Sequence, residues 1–350
     1  ITYSQKILMN EIKAIQMIGT QRSGSNLLRL LLNQYPEIAA PHPPHLLQRF
    51  LPLLPGYGDL SVKENMARLV DDVCTMVEIN PVPWTGVRLN RDQILARCRI
   101  PHLTEIFRLI YEEAAISKGA SQWMCKSMAN VHYSELMEKN GMHPVYLYLY
   151  RDGRDVACSF KKAIVGEKHI YFIARQWKED QEACLALKPK IESVRFVEVR
   201  YENLLQNPES EMLRLSERLQ LSYNPDIFNY YQSEESRNTS TAGKMWENVA
   251  KPIFSNSKKF RKELSREEII IFEAVAGDTL LKLGYETEYP QESKMRTFNA
   301  EELESFRLEN KQLKDEAALK ADPEGMKLRQ PQDSLIQSIK NRETAQYKEL

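Results

Sequence analysis

Four short apolar runs are separated by segments in which apolar residues recur at helical spacing. The runs cover residues 14–18, 123–127, 144–150 and 195–201. The helical patterns cover residues 62–77, 104–115, 171–187 and 208–219. Strands that are covered on both faces have nearly continuous apolar sequences. The alternation therefore predicts an α/β fold with three layers (α/β/α) around a central parallel sheet.

Two further stretches lie outside this alternation. Residues 56–122 contain helical patterns but no run that predicts a strand, and such an insert commonly covers a site or forms a pocket. Residues 291–350 are charged and also helical, with a 3-4 spacing of Leu303, Phe306, Asn310, Leu313 and Ala317. This spacing covers little more than two heptads, which is shorter than a coiled coil requires. Two interpretations of this tail stay open: packing on its own domain, and a dimer contact.

Composition and charge narrow the functional classes. The chain has 350 residues, with 48 Lys and Arg against 48 Asp and Glu. A net charge of zero offers no general attraction for nucleic acid or an anionic membrane, so any anion site has to be local. Five scattered cysteines without a C-x-x-C pair are expected to be reduced thiols rather than a disulfide framework or a zinc site.

The same survey bears on where the protein resides. No apolar run approaches the roughly 18–20 residues of a membrane span, and no signal-peptide pattern is visible. We therefore expect a cytoplasmic protein. Because the sequence begins with Ile1 rather than Met, a removed upstream anchor stays open as an alternative.

A polar, glycine-containing loop at residues 19–26 follows the first apolar run and precedes a helical pattern of leucines. A loop between a parallel strand and a helix directs unpaired backbone N–H groups and the helix dipole at one point, which favours an anion. Arg22 adds a full positive charge there. Gly19 and Gly24 have the glycine spacing of the nucleotide-binding P-loop, but Ser25 and Asn26 stand where that motif requires Lys and Ser or Thr. A related phosphate cradle is predicted, and a P-loop kinase is disfavoured.

A second candidate anion site follows the apolar run 144–150. Arg151 ends the predicted strand, and Ser159 lies about two turns into the following helical segment. Both side chains can reach one phosphate from two sides. Because ligands bind at the carboxyl ends of parallel strands, two anion sites on neighbouring strand ends indicate a ligand with two separate phosphate-like groups.

These two segments together resemble the signature pair of the sulfotransferases that depend on PAPS (3′-phosphoadenosine 5′-phosphosulfate). The pair consists of Thr-Gln-Arg-Ser-Gly-Ser-Asn-Leu-Leu at 20–28 and Leu-Tyr-Arg-Asp-Gly-Arg-Asp-Val-Ala-Cys-Ser at 149–159. Residues 199–208 are similar to a third family segment, and residues 261–265 and 283–285 resemble its closing segment. The likeness covers about 14–286. The arginine in the first loop is nearer to the tyrosylprotein and bacterial branches.

The resemblance implies a P-loop NTPase-like fold and transfer of a sulfuryl group from PAPS to a hydroxyl or amine, without a metal. It implies that the first motif binds the 5′-phosphosulfate through Arg22, Ser23, Gly24, Ser25, Asn26 and Leu27. It further implies that Arg151 and Ser159 hold the 3′-phosphate and that Tyr201 lies near the adenine. Lys251 lies in a segment similar to one of the tyrosylprotein branch, and the resemblance implies that it binds the cofactor. Arg22 and Lys126 are the cations expected at the transferred group.

The resemblance also places a general base in the loop after the first helix. Here that loop contains His42 and His45, and histidine titrates near neutrality. Related enzymes often have a glutamate at about this position, where this chain has Pro43. We favour His42 and keep His45 as the alternative.

The predicted organisation is a catalytic domain over 1–290, with 56–122 on the acceptor side, and a helical extension over 291–350. The expected acceptor is a small molecule, a carbohydrate or a peptide, and a homodimer through the C-terminal helices is possible. Two other functions were weighed: a P-loop-type nucleotide kinase or phosphotransferase, and a non-catalytic nucleotide-binding scaffold.

Overall fold

The centre of the molecule is a parallel sheet of five strands. The computed structural model describes residues 12–320 and 322–346. The strands are β1 (Lys13–Ile18), β2 (Ile38–Ala39), β3 (Gln122–Cys125), β4 (Val145–Tyr150) and β5 (Phe196–Arg200). Their order is β2-β3-β1-β4-β5, and every pairing is parallel. The predicted parallel sheet is confirmed, with β2 as an additional edge strand of two residues that is too short to give a sequence pattern.

Helices cover both faces of this sheet. They are α1 (Ser25–Asn33), α2 (Leu46–Phe50), α3 (Lys63–Glu78), α4 (Arg91–Arg97), α5 (Leu103–Lys118), α6 (Ser134–Lys139), α7 (Gly153–Lys162), α8 (Ile170–Leu187), α9 (Tyr201–Gln206), α10 (Pro208–Leu219), α11 (Glu234–Thr241), α12 (Phe260–Glu263), α13 (Arg266–Lys282), α14 (Pro290–Met295), α15 (Ala300–Leu319) and α16 (Pro323–Gln346). In the described part of the insert over 56–122, all regular elements are helical, as predicted.

The two faces of the sheet form two separate cores. Successive side chains of a strand point to opposite faces. In β4, Tyr146 and Tyr148 accordingly join a core with α3, α5, α8 and α13, whereas Leu147 and Leu149 join a core with α1, α9 and α10. All four side chains are fully buried. The three-layer α/β/α prediction is therefore confirmed.

The strand order creates a crevice between β1 and β4. The chain leaves β1 towards β2 on one side of the sheet, and it leaves β4 towards β5 on the other. In open parallel sheets, ligands bind at such a reversal point, outside the carboxyl ends of the strands. Residues 19–24, which follow β1, and Arg151, which follows β4, lie at this edge.

The predicted C-terminal helical region is present and packs on the domain. Asn310 of α15 accepts hydrogen bonds from the backbone N–H groups of Lys168 and His169, both at 2.9 Å. Phe306, one turn earlier, stacks on the His169 ring with a centroid distance of 4.2 Å. Further along, α16 lies against α3, where Arg342 forms an ion pair with Asp72 at 2.8 Å. The homodimer through these helices stays a prediction.

No helix among the described residues is both long and apolar enough to cross a membrane. The five cysteines are free thiols, four of them buried.

Candidate active site

The loop between β1 and α1 is held tightly by its neighbours. Gly19 has φ +129°, and a Cβ there would lie 2.3 Å from the carbonyl oxygen of Leu149. Gly24 has φ +89°, and a Cβ there would lie 2.2 Å from the ring of Tyr201. Only glycine accepts such backbone angles without strain while leaving room for these contacts. The two glycines therefore press the loop against β4 and Tyr201.

The N-terminus of α1 opens into the crevice. The helix begins at Ser25, and its N-cap Gly24 provides no side-chain hydrogen bond. The N–H groups of Ser25, Asn26 and Leu27 have no acceptor within the helix, because the first turn lacks preceding carbonyls. The side-chain atoms Ser23 Oγ and Asn26 Oδ1 are also buried without a hydrogen-bond partner. The backbone donors suit an anion, which accepts hydrogen bonds, whereas the amide oxygen Asn26 Oδ1 is itself an acceptor and does not add to this preference.

Arg151 links the two predicted anion-binding segments. Its guanidinium group lies over the Tyr201 ring, 4.5 Å from the centroid, and donates to the carbonyl oxygens of Arg22 and Asn256. From the other segment, Arg22 Nε donates to Ser159 Oγ at 3.0 Å. The structure thus brings Arg22, Arg151, Ser159 and Tyr201 together at one edge of the sheet. Arg151 is 2% exposed, and its Nε has no hydrogen-bond partner.

The remaining residues of the Arg151 turn have structural tasks. Asp152 caps α7, as its position predicts, by accepting a hydrogen bond from Arg154 N at 3.0 Å. A Cβ on Gly153 would lie 2.5 Å from Phe272, so this position requires glycine. Arg154 pairs with Asp152 at 2.8 Å and with Glu273 at 2.6 Å. Of the two arginines in this motif, Arg151 therefore lines the cavity, whereas Arg154 is paired in the core.

Asp155 binds the backbone of residues 258–260, a segment that is distant in sequence, next to the site. Its two carboxylate oxygens accept hydrogen bonds from the backbone N–H groups of Lys258 and Phe260, at 2.7 and 3.0 Å. This places Lys259 in the lining of the same cavity as Arg151. Burial and the nearby charge of Arg151 lower the pKa of Lys259. The resemblance of 261–265 indicated this segment but not Lys259 itself.

One cavity of about 460 Å³ connects all these groups with the histidine loop. Its lining contains six basic side chains, Arg22, Arg49, Lys126, Arg151, Lys259 and Arg329, and no Asp or Glu from the described part of the chain. Arg151 has an ion-pair partner outside this lining, since Asp155 Oδ2 lies 3.7 Å from its Nη2. A surplus of cations in a partly buried site is costly unless a ligand supplies negative charge. The cavity is therefore suited to a strongly anionic ligand.

His42 and His45 both line this cavity but have different surroundings. His45 Nδ1 is 3.1 Å from Ser127 Oγ, and its backbone takes a left-handed conformation with φ 57°. Both ring nitrogens of His42 are buried without a hydrogen-bond partner, and its ring meets Trp246 edge-on at 5.0 Å. Burial and then the charge of Lys126 lower the pKa of both, to about 3 for His45 and well below the usual range for His42.

Lys126 follows β3 directly and lies between the loop and the histidines. Its side chain is 8% exposed. Burial, together with the positive charges of Arg29 and Arg22, lowers the pKa of Lys126 to about 7. Burial and Arg151 likewise lower the pKa of Arg22. These shifts have one physical cause, namely cations that are crowded together away from water.

Some of the other predicted residues line the cavity and others do not. Gly24, Ser25, Asn26 and Leu27 line the cavity, whereas Ser23 is buried beneath the loop. Lys251 is exposed, does not line the cavity, and donates to Asn248 Oδ1 at 3.1 Å. Its binding role stays a prediction.

Sequence reasoning missed several cavity residues besides Lys259: Arg49, Trp246, Asn256, Arg329 and Gln332. Most of them lie in segments without a motif, so the sequence offered only their basic, aromatic or amide side chains as an indication of a binding site.

Comparisons with known proteins agree on one family. The sequence profile described as the Sulfotransferase family matches residues 14–225. No curated protein matches this chain.

Three solved structures are similar. The sulfotransferase domain of the olefin synthase from Synechococcus PCC 7002 has a TM-score of 0.50 and 18% identity, covering 75% of this chain and 94% of that domain. The sulfotransferase domain from the curacin biosynthetic pathway has a TM-score of 0.45 and 16% identity, covering 82% of this chain and 96% of that domain. A sulfotransferase from Mycobacterium avium, STF9, has a TM-score of 0.42 and 12% identity, with coverage of 81% and 80%.

The profile match extends over more than half of the 350 residues and includes both strand-end motifs. At 18% identity, the Synechococcus domain adds evidence for the fold alone. No group of three or more His, Cys, Asp or Glu within residues 12–320 and 322–346 is arranged to hold a metal ion. The chain belongs to the sulfotransferase family and is an enzyme that transfers a sulfuryl group.

Proposed function

We propose that this enzyme takes the sulfuryl group from PAPS and transfers it to a hydroxyl or amine acceptor. The observation that carries the proposal is the union of two cationic strand-end motifs in one carboxylate-free cavity, where Arg22 Nε meets Ser159 Oγ at 3.0 Å. We name the part lined by residues 21–27, Arg151, Ser159, Tyr201 and Lys259 the donor half. The part lined by His42, His45, Arg49, Trp246, Arg329 and Gln332 is the acceptor half.

The donor half fits a ligand with separated anionic groups. Arg151, Ser159 and Lys259 suit the 3′-phosphate. The N–H groups at the start of α1 and the Arg22 guanidinium suit the 5′-phosphosulfate. The buried, unpartnered Arg151 Nε is a donor that such a ligand would satisfy. Tyr201 packs against Gly24 and beneath Arg151, so it positions both binding motifs.

Arg22 and Lys126 act where negative charge develops. PAPS supplies an activated sulfuryl group. Transfer forms a bond between the acceptor oxygen and the sulfur, breaks the bond from that sulfur to the bridging oxygen, and releases 3′-phosphoadenosine 5′-phosphate (PAP). Cations that are already fixed in place stabilise this charge without reorganising during the reaction. The same anionic donor raises the pKa of Lys126 again, which keeps its ammonium group charged.

His42 takes the acceptor's proton in this proposal. Its lowered pKa keeps the imidazole neutral at neutral pH, and both of its nitrogens are free of protein partners. Hydrogen bonds from Asn80 and Trp84 to its carbonyl oxygen, at 3.2 and 2.7 Å, fix its backbone. His45 is less suited, since Ser127 already occupies its Nδ1. Bound donor adds negative charge, which raises the pKa of His42 towards the range that general bases need.

The insert over 56–122 contributes to the acceptor half through Asn80 and Pro81. We therefore assign it to the acceptor side of a catalytic domain over 1–290. The five free thiols support a reducing compartment such as the cytoplasm.

Thermal unfolding tests the donor assignment. PAP should raise the midpoint of the purified protein in a concentration-dependent way, because a ligand of the native state stabilises it by mass action. ATP with magnesium should give no comparable shift. Mass spectrometry with PAPS and an acceptor panel should then show sulfated products. Stabilisation by magnesium-ATP but not by PAP would contradict the proposal and favour a phosphotransferase.

A further inference from the structure

The C-terminal helix α16 forms part of the wall of the acceptor half. Gln332 is 2% exposed and donates to the Met76 carbonyl oxygen at 3.0 Å and to Asn80 Oδ1 at 3.2 Å. Two turns further on, Ile339 is also buried, and Arg342 pairs with Asp72 at 2.8 Å. These contacts fix the helix, which lies beyond the stretch of the chain that matches the family profile.

Arg329 lies on this helix, and the ring of Trp246 separates its guanidinium group from His42. Its guanidinium carbon lies 5.4 Å from the centroid of Trp246, and the same indole meets the His42 ring at 5.0 Å. Arg329 Nη2 is buried and has no hydrogen-bond partner. A buried donor without an acceptor is unfavourable, and in a cavity it indicates a ligand that supplies the acceptor.

Arg49 is the second arginine in this half, and it is half-buried. The acceptor of its Nη1 is the Met76 sulfur at 3.7 Å, and a thioether is a weak acceptor. Within the described residues, neither Arg49 nor Arg329 forms an ion pair. Asp333, which is exposed on α16, acts on both through space, and Asp322 acts on Arg329. Neither carboxylate lines the cavity.

The donor does not account for these two arginines. It has three anionic groups, namely the 3′-phosphate, the 5′-phosphate and the sulfuryl group. Arg22, Lys126, Arg151 and Lys259 already provide four cations around the place proposed for them. Arg329 lies near His42, on the other side of the Trp246 ring, and Arg49 acts through space on His45 and on Arg329. Both arginines therefore line the histidine side of the cavity, where the acceptor has to sit.

We infer that the acceptor is a hydroxyl compound with an anionic group of its own, which Arg49 and Arg329 bind next to His42. This inference rests on the proposed function and specifies its acceptor class. A guanidinium pairs bidentately with carboxylate, sulfate or phosphate, so the anion orients the acceptor as well as attracting it. The hydroxyl that receives the sulfuryl group is then held towards His42 and Arg22.

Matched pairs of acceptors test the inference. The full chain would be assayed with labelled PAPS on hydroxy acids and their amides, such as hydroxyphenylacetate and hydroxyphenylacetamide. A second pair would be a hydroxyalkyl sulfate and the neutral alcohol of the same chain length in which a methoxy group replaces the sulfate. The wild type should favour the anionic member of at least one pair by tenfold or more in kcat/KM. Arg329→Gln should lower kcat/KM for that acceptor by about ten- to a hundredfold, the range of a hydrogen bond between charged groups, while the neutral member changes little.

Lys327→Gln is the matched control, since it removes an exposed cation from the same helix outside the cavity. It should leave both members of each pair unchanged. The affinity for PAP and the unfolding midpoint of each variant show whether the donor half is intact. Equal losses of Arg329→Gln on acid and amide, with PAP affinity retained, would contradict the inference.

The failure of the inference can be told apart from the failure of the proposed function. If PAP does not bind, the donor assignment is wrong. If PAP binds but no panel member is sulfated, the same pairs would be titrated by calorimetry into the enzyme saturated with PAP. Binding of the anionic members that Arg329→Gln abolishes would support the inference. Equal binding of both members, or anion binding that Arg329→Gln leaves unchanged, would overturn it.

Discussion

The donor half and the acceptor half of the cavity are built in different ways. Most of the donor half directly follows β1, β4 and β5, so the sheet itself brings Arg22, Arg151 and Tyr201 together. Lys259 is added by the segment that Asp155 holds. The acceptor half collects residues from a loop, the insert, residues near 246 and the C-terminal helix, which no single element aligns. This difference suits an enzyme family that uses one donor with different acceptors. The rigid sheet can hold the common donor, while loops and helices outside the sheet can vary with the acceptor.

The two halves also differ in how their cations are held. Arg151 is fixed by Tyr201, two backbone carbonyls and the turn that begins with Asp152. Arg49 and Arg329 have few protein partners of this kind. The donor half is therefore preorganised, whereas the acceptor half relies on its ligand to complete the site. Substitutions in the two halves should accordingly separate donor affinity from turnover.

The largest expected effect lies in the acceptor half, at the proposed base. His42→Ala should lower kcat at saturating substrates by about 10²–10⁴-fold, which is the usual contribution of general acid–base catalysis. The affinity for PAP should not change, because the donor half is intact. Wild-type kcat/KM should fall as the pH drops through the pKa of the base, since protonated imidazole cannot accept the proton. His42→Ala should remove this acid limb.

His45→Ala is the control in the same loop, and it should retain most of the activity. If His45→Ala loses turnover and the acid limb while His42→Ala does not, the base is His45. Rate measurements from about pH 5 to pH 8 with a fixed acceptor distinguish the two.

The next effect concerns the glycine on which the donor half depends. Gly24→Ala should weaken the binding of PAP by a hundredfold or more, because the new methyl group collides with the Tyr201 ring at 2.2 Å. It should also lower the free energy of unfolding by more than the roughly 1–2 kcal/mol that a left-handed backbone costs. Calorimetric titration with PAP and chemical denaturation measure the two effects.

Gly141→Ala provides the matched control for backbone strain. Gly141 has φ +76°, but a Cβ there would meet nothing within 4 Å. Its variant should show the strain penalty alone and bind PAP normally. If both variants bind PAP alike, the contact between Gly24 and Tyr201 does not support the donor site.

A smaller effect should separate two neighbouring arginines. Arg151→Gln should weaken PAP binding by about ten- to a hundredfold, which corresponds to the roughly 1.5–3 kcal/mol of a hydrogen bond to a charged group. Arg154→Gln should instead lower the unfolding free energy by about 3–5 kcal/mol, because it leaves the buried Glu273 without its ion-pair partner. Titration of both variants with PAP, at a temperature below their unfolding midpoints, measures the affinities. A greater loss of PAP affinity in Arg154→Gln than in Arg151→Gln would contradict the comparison.

The smallest effect is a protonation change at Lys126, where the two halves meet. Its pKa of about 7 leaves the free amine partly deprotonated just above neutrality, and a bound anion raises that pKa. Binding of PAP at about pH 7.5 should therefore take up a fraction of a proton, at most roughly three quarters. PAP affinity should decrease as the pH rises through this region.

Calorimetry in buffers with different ionisation enthalpies measures that uptake. Lys126→Met should remove it while retaining weaker binding. Uptake that persists in Lys126→Met would assign the proton to another group, such as His42.

The donor half was largely predictable because local patterns and topology both determine it. Each predicted strand end carries its predicted residue, and Asp152 caps α7 as its position indicated. The split between Arg151 and Arg154 was not predictable, because it depends on Glu273, which lies more than a hundred residues away. Lys259 was missed for the same reason, since the hydrogen bonds from its segment to Asp155 place it in the cavity.

In the acceptor half, His42 and His45 were predicted, whereas the residues of α16 were not. The first part of α16 carries no apolar face, since Met326 and Leu328 are 46% and 42% exposed. Its packing begins with the polar Gln332, which is 2% exposed, and continues through Leu335, Ile336 and Ile339 on the core. In α15 the pattern was informative, because Phe306 and Asn310 of the 3-4 spacing are the positions that contact the domain. Polar partners and a short apolar face together position α16, and the polar partners could not be read from the sequence.

The crowding of cations in the cavity has a consequence for how ligands arrive. The chain has 48 basic and 48 acidic residues, and six of the basic ones line the cavity, so 42 against 48 leaves a net charge of −6 elsewhere. Salt screens charges beyond about 8 Å at physiological ionic strength. An approaching anion therefore meets a mildly repelling surface and is attracted only at the cavity mouth. Association should be slow compared with electrostatically steered enzymes, and added salt should change the association rate constant only slightly.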